Sequence, residues 1–145
     1  MQVFDIIPKL SVGPVEFGMS RADVGIQIGL PVAVVTDREW HLDFGMAISY
    51  DSTGAVEFIE LADSNLFKAL LFGKCLHEVD AEGAVSFLKQ FTPYDMNDPE
   101  LGYSYIFHEL QISLWRSVMP EESQASDDLT GRYFEAIGVA RDGYF

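Results

Sequence analysis

Basic residues and cysteine are both scarce in this chain of 145 residues. Nine lysines and arginines stand against 23 aspartates and glutamates, which gives a formal net charge of −14 at pH 7. A surface of this sign repels phosphate backbones and anionic lipids, so we expect neither a nucleic acid nor a membrane as partner. The only cysteine, Cys75, cannot form an internal disulfide, so nothing indicates an oxidising compartment.

The sequence also shows no pattern typical of a targeting segment or a membrane-spanning segment. Residues 1–9 lack the basic region and the apolar region that make up a signal peptide. The longest apolar run, residues 69–72, is far shorter than the roughly 20 residues of a membrane span. We therefore expect a soluble, cytoplasmic protein.

No motif of a known catalytic or metal site is present. The glycines between Gly13 and Gly18 are not followed by the G-K-[ST] of a phosphate-binding loop, and neither H-E-x-x-H nor C-x-x-C occurs. Cys75 lies near His77, yet we interpret it as a small, half-buried residue. We predict no catalytic residue, no metal and no cofactor, and structural or surface roles for the three histidines, His41, His77 and His108.

The composition nevertheless predicts a folded protein. Hydrophobic residues make up 48% of the chain, which is enough to bury a core despite the charge. The length suits one domain over residues 1–145. The acidity therefore belongs to the surface of a folded domain.

Two helices are predicted from their caps and apolar stripes. Ser20 is a helix N-cap with Asp23 three residues on, and Gly29 ends the first helix. Asp80 caps the second helix, which stops before the proline of residues 92–93. The predicted helices span residues 20–28 and 80–90.

Alternation of apolar and polar residues predicts the strands. Residues 42–50 alternate, residues 51–54 have turn chemistry, and the chain returns as a strand over 55–61. His41 and Asp43 lie two residues apart on a presumed strand, so they would share a face and could pair. Further strands are predicted at residues 103–107, 112–116 and 133–141.

Three segments give weaker patterns. Residues 66–72 fit either a short helix or a strand, and residues 12–19 indicate a tight loop that leads into the first helix. Residues 120–131 hold four carboxylates and almost nothing apolar, which predicts a solvated, mobile loop.

These elements predict an α+β fold in which two helices pack on an antiparallel sheet. Each half of the chain has a capped helix followed by aromatic strands, and Ile48–Ser49 of one half matches Ile112–Ser113 of the other. The halves, residues 12–72 and 73–145, are candidates for an internal duplication of a helix-plus-hairpin unit. Any two amphipathic hairpins look somewhat alike, so chance similarity remains the alternative.

Aromatic residues within acidic segments are the candidates for partner binding. Large aromatic side chains give much contact area at a small cost in conformational entropy. Ordinary packing in the core is the alternative role for each of them. The predicted partner-binding residues are Trp40, Tyr94, Asp95, Asp98, Glu100 and Tyr103.

The chain also resembles a group of known proteins. The resemblance rests on Val-Gly-Pro-Val-Glu-Phe-Gly-Met-Ser at 12–20, Gly-Leu-Pro at 29–31, Gly-Ala-Val-Glu-Phe-Ile at 54–59, Ile-Ser-Leu-Trp at 112–115 and the terminal Gly-Tyr-Phe. These segments resemble small bacterial proteins that are similar to immunity proteins of polymorphic-toxin or contact-dependent systems. The first helix alone also resembles small lipoproteins of outer-membrane barrel assembly, but no lipid-bearing cysteine lies near the N-terminus.

The leading hypothesis is a non-enzymatic, acidic binding protein that neutralises a basic partner, such as a toxin domain, by occlusion. A cationic partner would be steered toward the negative surface. A small hydrolase with an unrecognised site and a purely structural subunit are the alternatives. A cleft that holds a histidine or carboxylate with a shifted pKa would favour the hydrolase.

Overall fold

The computed structural model covers residues 1–145 and contains two helices and eleven strands. The helices are α1 (Arg21–Ile28) and α2 (Ala81–Lys89). The strands are β1 (Gln2–Ile7), β2 (Ser11–Val12), β3 (Val15–Glu16), β4 (Ala33–Val35), β5 (Arg38–His41), β6 (Met46–Tyr50), β7 (Val56–Ala62), β8 (Phe67–Leu71), β9 (Ser104–Phe107), β10 (Ile112–Trp115) and β11 (Ala136–Ala140).

The larger sheet has seven strands in the order β4-β5-β6-β7-β11-β10-β9, and all its pairs are antiparallel. It consists of two runs of consecutive strands, β4 to β7 and β9 to β11, which meet where β7 pairs with β11. The predicted α+β class is confirmed. One helix precedes each run, an order compatible with the duplication, which stays a prediction.

The sequence did not predict the second, smaller sheet. Its strand order is β3-β2-β1-β8, and β1 pairs with β8 in parallel. The segment of residues 66–72, for which the sequence left helix and strand open, therefore contains a strand, β8. The expected tight loop at 12–19 contains the short strand β3, which pairs back on β2. Gly13 lies between them at φ 55°, and a Cβ there would come within 2.6 Å of the Phe4 ring. The close approach of Phe4 therefore requires glycine.

Both helices begin where their caps predict. The Asp23 backbone N–H donates to Ser20 Oγ at 3.1 Å, and the Gly83 backbone N–H donates to Asp80 Oδ1 at 2.8 Å. Each bond satisfies a backbone donor that the first helical turn leaves free. Gly29 ends α1 with φ 90°. These local bonds explain why sequence alone located both helices.

One hydrophobic core joins the two halves of the chain. A single cluster of 24 buried residues draws on both helices and both sheets. In the larger sheet, Met46, Leu61, Ile137 and Leu114 stand opposite one another on adjacent strands, and all are fully buried. Because side chains alternate along each strand, Trp40, Ala47, Glu60 and the other residues between these buried ones lie on the opposite, outer face.

Candidate functional site

A buried polar cluster lies where α1 meets β5, and we call it the α1 cluster: Arg21, Glu39, His41 and Tyr50. Glu39 is only 6% exposed. Arg21 Nη1 donates to Glu39 Oε2 at 2.9 Å, and the Tyr50 hydroxyl donates to Glu39 Oε1 at 2.9 Å. Burial is the main cause that raises the Tyr50 pKa, and the bond to Glu39 raises it further. Both carboxylate oxygens are therefore used within the protein.

The expected pairing of His41 with Asp43 is wrong. His41 is the last residue of β5, and the chain then turns through three residues of positive φ, Leu42, Asp43 and Phe44. The turn takes Asp43 out of the strand, so the two residues do not share a strand face. His41 Nε2 instead lies 3.3 Å from Glu39 Oε1. His41 thus belongs to the α1 cluster, whose bonds fasten α1 to the sheet.

The structure separates the predicted partner-binding residues into two places. Trp40 lies on β5, half-exposed, with the Arg38 guanidinium 5.3 Å from its ring centroid. Tyr94 to Tyr103 lie beside β9 at the other end of the sheet. Five strand spacings separate β5 from β9, or about 24 Å. Trp40 therefore does not form one compact site with the other five residues.

The acidic segment beside β9 is shaped by bonds between its own residues. Asp95 Oδ2 lies 2.9 Å from His108 Nε2, and that bond is the main cause that lowers the Asp95 pKa. Asp98 Oδ1 accepts from the Glu100 backbone N–H at 2.9 Å. Tyr94 packs edge-on against Tyr105, with ring centroids 5.0 Å apart, and is half-buried. Tyr94 is therefore partly a packing residue.

Glu100 and Tyr103 are exposed, and they line a hollow of about 390 Å³ together with Trp115. Trp115 is 42% exposed at the end of β10 and extends the aromatic surface beyond the predicted residues. Its strand carried the signal, since Ile112 and Leu114 point into the core and alternation then turns residue 115 outward. Trp115 is not among the partner-binding residues predicted from the sequence.

A second hollow of about 600 Å³, named the His77 hollow, lies beside the first. His77, Asp63, Glu135 and Tyr133 line it, and Ser117 lines both hollows. Residues 129–131, from the loop before β11, form part of its rim. No lysine or arginine lines the His77 hollow.

His77 is the buried polar residue of this hollow. It is 8% exposed, and its Nε2 has no hydrogen-bond partner. Burial is the main cause that lowers its pKa, against the smaller opposing effects of Asp63 and of main-chain groups of Glu135 and Leu61. The imidazole is therefore neutral at pH 7. No local pattern indicates this setting, because Asp63, His77 and Glu135 come from distant segments.

Glu135 and Ser117 are bonded to each other at the boundary of the two hollows. Glu135 Oε2 accepts from the Ser117 backbone N–H at 2.6 Å and from its hydroxyl at 2.7 Å. A serine nucleophile needs a general base within hydrogen-bond reach, usually a histidine. In this hollow the Ser117 hydroxyl donates to a carboxylate, and no hydrogen bond joins it to His77. The arrangement is suited to binding through oxygen acceptors.

No protein-family model, curated protein or solved structure matches the chain. Neither helix has the length and apolar character needed to cross a bilayer. No three histidine, cysteine, aspartate or glutamate side chains come close enough together to hold a metal ion.

Proposed function

We propose that this chain is a cytoplasmic, acidic binding protein that occludes a basic protein partner, in the manner of an immunity protein that blocks a toxin. One observation carries the proposal. After residue 90 the chain has ten aspartates and glutamates but three arginines and no lysine. The excess of acidic over basic residues is seven here, within 55 residues, and also seven in the 90 residues before them, so the negative charge is denser in this part. This part also supplies most of the lining of both hollows.

The three arginines of this part are engaged internally. Arg116 donates to the carbonyl oxygens of Gly102 and Gly131, both at 2.9 Å. Arg132 donates to the carbonyls of its own loop, and Arg141 pairs with Asp51 at 2.8 Å. Because no cation of this region is free, its exposed carboxylates are available to an external cation.

Exposed aromatics accompany those carboxylates. Tyr103 is 41% exposed, Trp115 42% and Tyr133 37%, and the two adjacent hollows bring them onto one surface with Glu100 and Glu135. We call these five residues the acidic-aromatic surface. Aromatic anchors beside charges are typical of energetically important interface positions, and the charges speed encounter with a basic partner.

The hydrolase alternative has one supporting observation, the buried His77 with its lowered pKa beside a hollow. The serine of that hollow, however, is bonded to Glu135 and not to the histidine. The binding protein is therefore the better-supported proposal.

The test begins with the partner and continues with kinetics. Protein captured by the immobilised chain from host extract is identified and purified, and its association rate is measured at about 0.05 M and 0.5 M ionic strength. We expect a basic partner whose association rate falls by about tenfold or more at the higher ionic strength. A neutral or acidic partner, or an association rate that ignores salt, contradicts the proposal.

A pair of tryptophan variants locates the interface. Trp115→Ala should raise the dissociation rate by about 30-fold, because a buried interfacial anchor contributes on the order of 2 kcal/mol. Trp40→Ala is the matched control at the far end of the sheet. Equal loss in both variants would mean that the partner covers the whole outer face. An effect of Trp40→Ala alone would move the interface to β5, away from the acidic-aromatic surface, and contradict the proposed placement.

A further inference from the structure

We propose that the His77 hollow binds a guanidinium group, presented by an arginine side chain of the basic partner. The identity of the source rests on the proposed function, while the chemistry of the site rests on the hollow itself. Asp63 and Glu135 supply negative charge at its rim, and no lysine or arginine lines it.

The orphaned nitrogen of His77 is an independent observation that points to a hydrogen-bond donor. Its Nε2 is buried without a partner in a ring that burial keeps neutral. A neutral imidazole accepts a hydrogen bond at one nitrogen, and in the tautomer protonated at Nδ1 that acceptor is Nε2. Buried polar atoms are rarely left unpaired, so an N–H donor entering the hollow would satisfy this one.

The spread of the acceptors favours an organic cation over a metal ion. Asp63, His77 and Glu135 do not come close enough together to act as three ligands of one ion. A guanidinium is planar, carries five N–H donors and can reach acceptors several ångströms apart. Glu135 uses only Oε2 in its bonds to Ser117, which leaves Oε1 to accept from a ligand.

The rest of the lining suits an arginine side chain. Tyr133 offers an exposed ring on which a guanidinium can stack. Val118 and Leu129 offer apolar surface for the methylene groups that precede the charged head. The volume of about 600 Å³ lies within the range of small-ligand sites, so an arginine side chain fits.

The direct test uses two small probes that differ in charge. N-acetyl-arginine methylamide is titrated into ¹⁵N-labelled protein, and N-acetyl-citrulline methylamide serves as the uncharged probe of the same shape. We expect the arginine probe to bind with a dissociation constant on the order of millimolar and to shift the His77 Nε2 resonance. The citrulline probe should bind at least about tenfold more weakly. Equal affinity for the two probes, or shifts confined to other regions, overturns the inference.

Variants assign the binding to this hollow. Asp63→Asn should weaken the arginine probe by about fivefold, the scale of a partly exposed charge pair, and Glu135→Gln by a similar factor. Asp43→Asn and Glu109→Gln remove the same charge from exposed positions elsewhere and should change little. Asp63 accepts no hydrogen bond in the structure, so its variant should fold normally, as circular dichroism would check. Equal weakening in the controls would reduce the effect to net charge and overturn the inference.

Two further comparisons are needed. One distinguishes a side chain of the partner from a free guanidine as the ligand, and the other distinguishes failure of this inference from failure of the proposed function. n-Propylguanidine, a free guanidine with the same single charge, should bind no more tightly than the arginine probe. Much tighter binding would mean that the hollow takes a free guanidine and not a side chain of the partner, which overturns the inference. If the arginine probe binds but no basic partner is found, the site stands and the proposed function fails. The opposite outcome has three parts: a basic partner binds, the arginine probe does not bind, and Asp63→Asn leaves the partner's dissociation rate unchanged. In that case the proposed function stands and this inference fails.

Discussion

The α1 cluster and the His77 hollow are built from the same residue types and differ in one respect. Each has a buried histidine, a carboxylate and a tyrosine. The α1 cluster also has Arg21, which neutralises Glu39 and lies over the Tyr50 ring at 4.6 Å. The hollow has no cation of its own. The position of an arginine therefore separates a structural cluster from a surface that is open to a ligand.

This difference matters because cations are scarce in the chain. With 9 basic residues for 23 acidic ones, most carboxylates cannot have an internal partner. Those that must be buried receive one, as Glu39 does, since an unpaired buried charge is costly. Asp63 and Glu135, the carboxylates at the rim of the hollow, are exposed, so their charge does not require an internal partner.

Removing the arginine of the α1 cluster should have the largest effect. Arg21→Ala leaves the Glu39 carboxylate buried without its countercharge, so we expect a loss of about 3 kcal/mol in the free energy of unfolding. The measurement is equilibrium unfolding in urea at neutral pH. If the loss is under about 1 kcal/mol, the cluster does not fasten α1 as we describe.

Arg38→Ala is the matched control, because it too removes an arginine that pairs with a glutamate of the larger sheet. Arg38 pairs with Glu60 at 3.3 Å, but the Glu60 side chain is 43% exposed, whereas that of Glu39 is 8% exposed. The expected loss is about 1 kcal/mol or less, as for exposed pairs. Equal losses in the two variants would mean that burial of the carboxylate is not the deciding factor.

Local bonds explain which parts of the fold can be predicted from sequence. Ser20 and Asp80 cap their helices through backbone donors three residues away, and Asp51 accepts from the Thr53 backbone N–H at 2.9 Å in the predicted turn. These bonds need only neighbours in the chain, so residue type and spacing reveal them. The strands observed at 56–62, 104–107, 112–115 and 136–140 likewise follow from alternation.

The parts of the fold that could not be predicted from the sequence depend on contacts between distant segments. β1 pairs with β8, more than 60 residues away, and no local pattern announces that parallel pairing. Arg-Glu-Trp-His at 38–41 has the composition of an exposed charged run, yet it is β5, because Arg21 allows Glu39 to be buried. The His77 hollow likewise unites residues 63, 77 and 117–135. The sequence shows where the acidic segments lie, but it does not reveal the hollows that these distant residues form together.

Acid should destabilise the fold through the desolvated ring of His77. Its pKa is lowered in the folded state, while the unfolded ring takes up a proton near the ordinary value of 6.5. The unfolded state therefore binds more protons between 6.5 and the folded pKa, so stability falls as pH drops through that window, by at most about 1.4 kcal/mol per pH unit. Below the folded pKa this contribution no longer changes.

Urea unfolding at about pH 7, 6 and 5 checks this pH dependence. His77→Gln should remove this part of the slope, whereas His108→Gln, at an exposed position, should keep it. The Asp95 carboxyl acts in a separate window: its pKa is lowered, so its stabilisation is lost only as pH falls below the ordinary 3.8. A slope unchanged in His77→Gln would show that the ring is not desolvated, which would also weaken the argument for its free acceptor.

The smallest effect is expected at the loop of residues 120–131, whose end forms part of the rim of the His77 hollow. Gln124 Nε2 donates to the carbonyls of Asp128 at 2.7 Å and Thr130 at 2.9 Å, and its Oε1 accepts from the Glu121 backbone N–H at 3.0 Å. Gln124→Ala removes these exposed bonds, so the free energy of unfolding should fall by less than about 1 kcal/mol. The loosened rim should still weaken the arginine probe about threefold, because ordering the rim again adds an entropic cost to binding.

Limited proteolysis with a glutamate-specific protease measures the same change directly. The sequence predicts that this loop is mobile, so the first cut should follow Glu121 or Glu122, and Gln124→Ala should hasten it. Gln90→Ala is the control, since Gln90 is an exposed glutamine at the end of α2 with no such side-chain bonds. First cleavage elsewhere would contradict the predicted mobility. An unchanged cleavage rate in Gln124→Ala would show that the glutamine does not hold the rim. The bonds from Arg132 to the loop carbonyls would then be the contacts that keep the loop in place.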